Sequence, residues 1–350
     1  MPLPTPDSLL DAASTPLTNA LGTITTRLDF TALLDQRGRL LKVESALPSL
    51  ALIPERMVLR EAMSQPFELV LDCLSTSAHF ELKLLIGEQI SVRLLQPDGS
   101  YKPWHGYVLE ASQLGADGGY ARYRLVMSPW LSLLGLRRDA FIWQDKTALQ
   151  IIEDLFADYP QANFRIEVTE PLRVRSLCTQ YRESDLDFVS RLLAEEGLSY
   201  HFEHLEGDAA ASADQTAQAR HVLVITDRTA PRPDLGPARF TSQHASANLL
   251  GQRDAVTAFA TARAVQPNSV SLGAWNYKQV SGTSAQSSSA LPLGALPTLE
   301  VYDGSGGYRF ENTAHAERAA ALALAALELS VKRFEGQGAP ATSRPGAPSA

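Results

Sequence analysis

The segment Gln180–His204 constrains the fold most, because the spacing of its apolar residues changes once within it. Ser184 with the acidic Asp187 three residues later is the pattern of a helix N-terminus, and Gly197 is typical of a helix C-terminus. Apolar residues recur at helical spacing before Gly197 and alternate with polar ones after it. The segment therefore predicts a helix that runs directly into a strand. The predicted inward residues are Phe188, Val189, Leu192 and Leu193 in the helix and Leu198, Tyr200 and Phe202 in the strand.

The bulk composition limits the class of protein. A chain of 350 residues with 45% hydrophobic and 20% charged residues predicts a globular protein of two or three packed units. A formal net charge of -8, without a Lys/Arg cluster, argues against nucleic acid as a partner. The sequence contains no run of about 18 apolar residues, so we predict no stable membrane insertion. The first residues lack the basic region and the sustained apolar core of a Sec signal.

The two cysteines indicate the compartment in which the chain is made. Cys73 and Cys178 can form at most one disulfide and lack metal-ligand spacing, which favours a reducing compartment. Cys73 also shares a predicted strand face with apolar residues, so we expect a buried thiol. The sequence thus predicts a protein that is soluble and cytoplasmic when synthesised.

Short alternating segments dominate the first half of the chain. The turn signals Pro97–Gly99 and Asp117–Gly119 separate them, which predicts hairpins in an antiparallel sheet. Thr147 with Gln150 is a capping-box pattern that opens another helix. On the residues alone, the two antiparallel β units are each a barrel or a sandwich; their barrel-like form is what the family resemblance described below implies. With it, the predicted fold class is α+β and mostly β, with two antiparallel β-barrel-like domains, an inserted α+β segment and a long C-terminal helix. The predicted units are a disordered extension (1–22), a first barrel-like domain (23–145), an α+β segment (146–205), a second barrel-like domain (206–310), a buried helix (311–335) and a flexible linker or tail (336–350).

Three segments of the second half carry specific expectations. HVLVIT at 221–226 predicts a strand of the second β unit, and the Ser-rich run at 281–290 predicts a loop. Glu311–Phe334 is rich in Ala and Leu, with Asn312 or Thr313 as its N-cap, and predicts one long helix. Its apolar residues lie on more than one side, so we expect it to be largely buried. The main predicted stripe is Ala320, Leu324, Leu327, Val331 and Phe334.

No residue set in the sequence has the spacing of a catalytic or metal site. His201 and His204 are the most metal-like pair, yet residues three apart on a strand point to opposite faces. Gly304–Gly307 lacks the Lys of a phosphate loop, and HExxH and GxSxG motifs are absent. The acidic pairs Glu195–Glu196 and Asp185–Asp187 fit helix capping and solvation better than glycosidase chemistry. We therefore predict no catalytic, cofactor-binding or metal-binding residue and no cofactor.

Several separated strings carry a resemblance to a known family. They include QYRESDLDFVSRLLAEEG, SQPFELVLDCLS, LIGEQISVRLLQPDG, YRLVMSPWLSLLGLRRDAFIWQDKTALQIIEDL and LEVYDGSGGYRF, in one order. Together they resemble the hub region of the VgrG spike proteins of type VI secretion systems, which is related to contractile-phage baseplate hubs. The likeness runs from about Leu40 to Gly346 and does not extend to the OB-like domain or the β-helix needle that family members normally carry.

The resemblance implies a structural protein with several partners. Two barrel-like domains per subunit would give a homotrimer pseudo-sixfold symmetry, matching the hexameric Hcp tube. Baseplate components and effector proteins or their adaptors would be further partners, and the type VI apparatus would secrete the particle without a signal peptide. Without the needle, we expect the trimer of this chain to be weak.

Two alternatives stay open beside the structural hub. A cell-wall hydrolase requires two carboxylates converging in a cleft, one with a raised pKa. A glycan-binding β module requires a row of exposed aromatic faces, for which the candidates are Trp104, Trp130, Trp143 and Trp275.

Overall fold

The computed structural model describes residues 39–45, 47–48, 51–96, 99–117, 119–206, 218–230, 256–277, 279–292, 294–304 and 310–338. The predicted extension at 1–22 lies outside these residues, as does the predicted tail beyond Gly338. None of the described helices is long and apolar enough to cross a membrane.

The first unit is a six-stranded antiparallel sheet that curls into a half-barrel. Alternation forms its core: Phe67, Leu69, Leu71 and Cys73 on one strand are all buried, with polar or half-buried residues between them. The hairpin turn predicted at Asp117–Gly119 joins two strands that pair with each other. The strands are β1 Leu41–Glu44, β2 Ile53–Ala62, β3 Gln65–Ser75, β4 Gln89–Leu95, β5 Tyr101–Asp117 and β6 Tyr120–Ser128, in the order β1-β4-β5-β6-β3-β2.

The second unit combines two helices with a three-stranded sheet and a two-stranded ribbon. Its elements are β7 Arg138–Trp143, α1 Ala148–Phe156, β8 Phe164–Glu167, β9 Cys178–Ser184, α2 Asp185–Glu196, β10 Ser199–His204 and β11 His221–Thr226. The sheet has the order β10-β11-β8, and β7 pairs with β9.

Two predicted boundaries of this unit are wrong. The strand at 221–226 does not open a second β unit; it is the central strand β11, buried along its whole length between β10 and β8. Residues 130–143 do not belong to the first domain, because Trp130 packs into the same core as the helices and β7 pairs with β9. The apolar pattern identified these elements, but their sheet partners lie far away in sequence.

The predicted helix ends of this unit are confirmed. Thr147 and Gln150 make both hydrogen bonds of a capping box at α1. The Ser184 hydroxyl accepts from the backbone N–H of Asp187 at α2, and Gly197 ends the helix with φ 69°. That left-handed conformation favours glycine. The predicted inward helix residues Phe188, Val189, Leu192 and Leu193 are all buried.

In the third unit, the described residues form one helix, a three-stranded sheet and a second ribbon. Its elements are β12 Val256–Arg263, β13 Ser269–Asn276, β14 Ser281–Ser288, β15 Glu300–Asp303, α3 Thr313–Glu328 and β16 Lys332–Gly338. The sheet has the order β14-β13-β15, and β12 pairs with β16. Because the described strands form these two small sheets, a second barrel-like domain over 206–310 stays a prediction.

The Ser-rich segment is a strand and not the predicted loop. β14 pairs with β13 in unbroken antiparallel register from Ser269 opposite Ser288 to Asn276 opposite Ser281. Serine has low strand propensity, but its small side chain fits an edge strand, and α3 packs against β13 and β14. Pairing and packing therefore override the composition signal.

The predicted helix over Glu311–Phe334 is too long. Asn312 caps it as predicted, but α3 ends at Glu328, and Lys332–Gly338 forms β16. Within α3 only Ala316, Ala320 and Leu324 are buried, so one face packs on the sheet, the residues beside it are half-buried, and the opposite face is exposed. Strand pairing with β12 supplies hydrogen bonds that helix propensity could not reveal.

Candidate functional surfaces

The carboxylates Glu195 and Glu196 lie beside a buried guanidinium. Arg175 donates from Nη1 to Glu195 Oε2 over 2.7 Å and from Nη2 to Glu196 Oε1 over 2.6 Å. Arg175 and Glu196 are both buried, and these hydrogen bonds raise the pKa of Arg175 despite its desolvation. Both carboxylates are thus engaged by one guanidinium in charge-assisted hydrogen bonds, which is a structural arrangement. The pair ties the segment before β9 to the end of α2.

The other acidic pair, Asp185 and Asp187, has two structural roles. Asp185 is buried, accepts hydrogen bonds from the Tyr159 hydroxyl and the Gln180 amide, and forms an ion pair with Arg137. Asp187 accepts from the Ser184 hydroxyl over 2.6 Å at the N-terminus of α2. Neither arrangement resembles two carboxylates facing a substrate cleft.

His201 and His204 point to opposite faces of β10 and do not form a site together. His201 lies 3.7 Å from Glu203 at the surface, whereas His204 accepts the backbone N–H of His105 over 3.1 Å. Among the residues that the structure describes, no three His, Cys, Asp or Glu side chains form a group able to hold a metal ion.

His204 belongs instead to a buried histidine cluster, which we define as His105, His204 and His221. Its ring centroids are 5.9 Å apart between His105 and His204 and 6.1 Å apart between His204 and His221. His105 comes from β5 of the six-stranded sheet, and the other two come from β10 and β11. The cluster therefore lies where the first and second units meet, with Phe67 packed edge-on against His204 and His221.

Hydrogen bonds hold the cluster in its neutral form. His105 Nε2 bonds the Leu205 carbonyl over 2.8 Å, so this nitrogen carries the proton, and Nδ1 accepts from the Ser91 hydroxyl over 2.6 Å. His221 Nε2 accepts the backbone N–H of Trp130 over 3.0 Å. Arg220 also donates to Ser91, over 3.0 Å, and brings a positive charge close to His105.

Burial gives two of these histidines unusually low pKa values. Desolvation lowers the pKa of His105 to about 4 and that of His221 to about 3. For His105 the nearby Arg220 and Arg93 lower the pKa further, while the Leu205 carbonyl raises it. Desolvation also raises the pKa of Tyr107, whose ring packs against His221, to about 12. Sequence reasoning missed this cluster because its members are far apart along the chain.

The remaining candidates occupy structural positions or lie at the surface. Trp130 is fully buried and Trp104 nearly so, whereas Trp275 is 51% exposed. The Cys73 thiol is buried, as predicted, and desolvation raises its pKa to about 12; burial also raises that of Cys178. Of Gly304–Gly307, only Gly304 is among the described residues.

One face of the β7–β9 ribbon is exposed, and its own side chains carry no charge, although the Arg182 guanidinium lies 5.4 Å from the centre of the Tyr181 ring. Residues paired across the ribbon, such as Ile142 with Thr179 and Ala140 with Tyr181, share this face. Ile142 is 56% exposed, Leu177 60% and Tyr181 67%, while the opposite face includes the buried Cys178. Exposed apolar patches of this kind mark interaction surfaces. The face consists of Ala140, Ile142, Gln144, Leu177, Thr179 and Tyr181.

The arrangement of these units matches solved tail proteins. The crystal structure of a tail protein from Neisseria meningitidis MC58 aligns with a TM-score of 0.55 and 14% identity, over 84% of this chain and 78% of that one. The 43 kDa tail protein of prophage MuSo2 from Shewanella oneidensis also gives 0.55, with 11% identity over 85% of this chain and 81% of that one. The protein therefore has the fold of phage-type tail proteins.

The family follows from the sequence itself. The family model described as phage tail baseplate hub (GPD) matches residues 60–349, and the chain belongs to this family. Among curated proteins, the type VI secretion system spike protein VgrG1b of Pseudomonas aeruginosa is 31% identical over 277 residues, or 79% of this chain. The match covers 36% of that relative, so the chain spans about a third of its length. The predicted resemblance to VgrG spike proteins is confirmed.

Proposed function

We propose that this chain is the structural hub of a type VI secretion spike. The observation that carries the proposal is the hub-family match over residues 60–349, which spans nearly all of the described structure. In this role three copies form a ring that seats on the hexameric Hcp tube and contacts baseplate components. The particle carries effector proteins or their adaptors into target cells, and the type VI apparatus exports it without a signal peptide.

The exposed face of the β7–β9 ribbon supports an assembly role. Its six side chains carry no charge, and three of its apolar residues are more than half exposed in the single chain. Assembly interfaces are depleted of charge at their centres and enriched in aromatic residues such as Tyr181. A hub must also present several surfaces at once, because tube, neighbouring copies and cargo all bind it.

The state of the acidic pairs favours the hub over a hydrolase. Arg175 bonds both Glu195 and Glu196, and Asp185 is held by Tyr159, Gln180 and Arg137. A hydrolase would need one carboxylic acid kept protonated near neutral pH. We therefore propose that the chain is not an enzyme, that it has no catalytic, cofactor-binding or metal-binding residues, and that it binds no nucleic acid.

Light scattering over a concentration series tests the proposal. We expect a concentration-dependent trimer that becomes stable when a trimeric needle is fused after Gly346, and that binds one Hcp hexamer. Ile142→Asp, at the centre of the uncharged ribbon face, should lower the assembled fraction. The matched control Leu84→Asp, on a residue 53% exposed in the first unit, should not. A strict monomer even with the needle fused would overturn the hub assignment.

A further inference from the structure

The contact between the first and second units, which we call the joint, is built around the histidine cluster. The His105 backbone N–H of β5 donates to His204 Nδ1 of β10, and His105 Nε2 donates to the carbonyl of Leu205, the residue after β10. Beside them, the backbone N–H of Arg220, the residue before β11, donates to Gln89 Oε1 of β4 over 2.6 Å. Each of these hydrogen bonds crosses from the six-stranded sheet to the second unit. The state of the histidines therefore bears directly on the joint.

Two rings of the cluster accept hydrogen bonds that a proton would remove. His204 Nδ1 accepts from the backbone N–H of His105 over 3.1 Å, and His221 Nε2 accepts from that of Trp130 over 3.0 Å. A backbone N–H can only donate, so a proton added to either ring nitrogen leaves two donors facing each other. The His204 bond crosses the joint, and its loss frees β5 from β10 at that point.

The other nitrogen of His221 is left unsatisfied while the joint is closed. Because Nε2 accepts, Nδ1 carries the proton, and this buried N–H has no hydrogen-bond partner within the described part of the chain. Aromatic rings surround it: Phe67 and Tyr107 from the first sheet and Phe202 from β10 lie 5.9, 6.2 and 5.8 Å away between ring centroids. A buried donor without an acceptor favours any opening that lets water reach it.

The charges closest to the cluster also oppose its protonation in the closed joint. The guanidinium groups of Arg220 and Arg93 lower the pKa of His105. Glu44, the carboxylate on this side, forms an ion pair with Arg93 over 3.1 Å. No described carboxylate forms a hydrogen bond or an ion pair with His105 or His221. An imidazolium formed here would have like charges beside it and no counter-ion.

We propose that the joint is an acid-sensitive switch: as the pH falls, the cluster takes up protons from water and the first unit separates from the second, while each unit keeps its own core. The two cores are distinct, one around Leu69 and Leu71 and the other around Phe188 and Leu192, so opening the joint does not require either to unfold. The step is protonation alone, because a ring nitrogen lone pair binds a proton from solvent and neutralisation reverses it. The inference goes beyond the proposed hub function and does not rest on it.

The direction and size of the pH effect follow from the closed and open states. In the closed joint His105 and His221 have pKa values of about 4 and about 3, whereas an imidazole released to water has a pKa of about 6.5. The closed state is therefore fully held above about pH 6.5 and is lost as the pH falls through that value. Between pH 7.5 and pH 5.5 each released imidazole raises the opening constant about tenfold, so these two raise it about a hundredfold.

Amide hydrogen exchange of the full chain, followed by mass spectrometry between pH 7.5 and pH 5.5, tests the switch. The reporters are the backbone N–H groups of His105 and Arg220, which donate across the joint, and the references are those of Leu71 and Leu192 in the two cores. After correction for the intrinsic pH dependence of exchange, protection of the reporters should fall about a hundredfold over this range. At pH 5.5 it should also be at least about a hundredfold weaker than protection of the references, because local opening precedes global unfolding.

The wild-type measurement decides the proposal by itself, and two variants refine it. His221→Gln removes one titrating ring, so the fall in reporter protection should be about tenfold smaller. His79→Gln, at an exposed position outside the cluster, is the matched control and should behave as wild type. If reporters and references exchange with equal protection at every pH, the rings are released only by global unfolding and the switch is wrong. Reporter protection that stays constant over the pH range would overturn it equally.

Discussion

Acidification should destabilise this protein through its buried histidine cluster. His105 and His221 have pKa values of about 4 and about 3 in the folded state, below the ordinary histidine value of about 6.5. Between these values the unfolded chain binds protons that the folded chain excludes. Stability is therefore fully present above about pH 6.5 and is lost as the pH falls through that value. Burial also lowers the pKa of His315, which adds in the same direction.

The size of the effect at pH 5 follows from the unfolded state. At pH 5 both imidazoles are still largely neutral in the folded state. The loss of unfolding free energy therefore depends mainly on how far pH 5 lies below the unfolded-state pKa of about 6.5, which is about 1.5 pH units. At about 1.36 kcal/mol per unit this is about 2 kcal/mol for each histidine, or about 4 kcal/mol for His105 and His221 together. Domains are stable by about 5–15 kcal/mol, so the change is large.

Urea denaturation at several values between pH 7.5 and pH 5 measures the effect. The free energy of unfolding of wild type should fall by about 4 kcal/mol over this range. His105→Gln and His221→Gln should each be destabilised at pH 7.5 but should lose about half of the pH dependence. His79→Gln, at an exposed position, is the matched control and should keep it. Equal stability of wild type at both ends of the range would refute the reasoning.

Three further predictions concern packing and chemistry. Phe188→Ala should cost about 3–5 kcal/mol, because it empties a fully buried site, whereas the exposed Glu317→Ala of α3 should change stability by less than about 0.5 kcal/mol. Equal effects in a denaturant melt would contradict the burial of Phe188 in the core. Gly197→Ala should destabilise by about 1–3 kcal/mol, since φ is 69° and a Cβ there would lie 2.5 Å from Leu322 Cδ2. Adding Leu322→Ala should recover part of that loss, and a purely additive double-mutant cycle would exclude the clash. Purified protein should not turn over peptidoglycan, phospholipid or nucleic acid; turnover abolished by one Asp, Glu, Ser or His substitution would show that it is an enzyme.

Local sequence signals determined the individual elements well. The caps at Thr147, Ser184 and Gly197 act within a few residues, so their hydrogen bonds and backbone angles could be predicted from spacing alone. Period-two alternation likewise located β3, and the switch of period at Gly197 located β10. These signals are reliable because the atoms that satisfy them are close neighbours in the chain.

Contacts between distant residues could not be predicted in the same way. α3 ends at Glu328, and the strand β16 follows it, because β16 forms backbone hydrogen bonds with β12, about 70 residues earlier in the chain. The Ser-rich segment is a strand because β13 pairs with it, and β11 joins the α+β sheet because β8 and β10 flank it. A strand can form its backbone hydrogen bonds with any strand edge that the fold places beside it. The composition of the strand does not show which edge that is.

The sequence by itself determined the family, the positions of most strands and helices, and the absence of familiar catalytic motifs. Only the tertiary structure decided that His105, His204 and His221 meet and that burial depresses the pKa of His105 and His221. It alone also decided which residues of the β7–β9 and β12–β16 ribbons are exposed within the described part of the chain. The physical reason is that desolvation and exposure depend on everything packed around a group, whereas a cap or an alternating strand depends only on its neighbours in the chain.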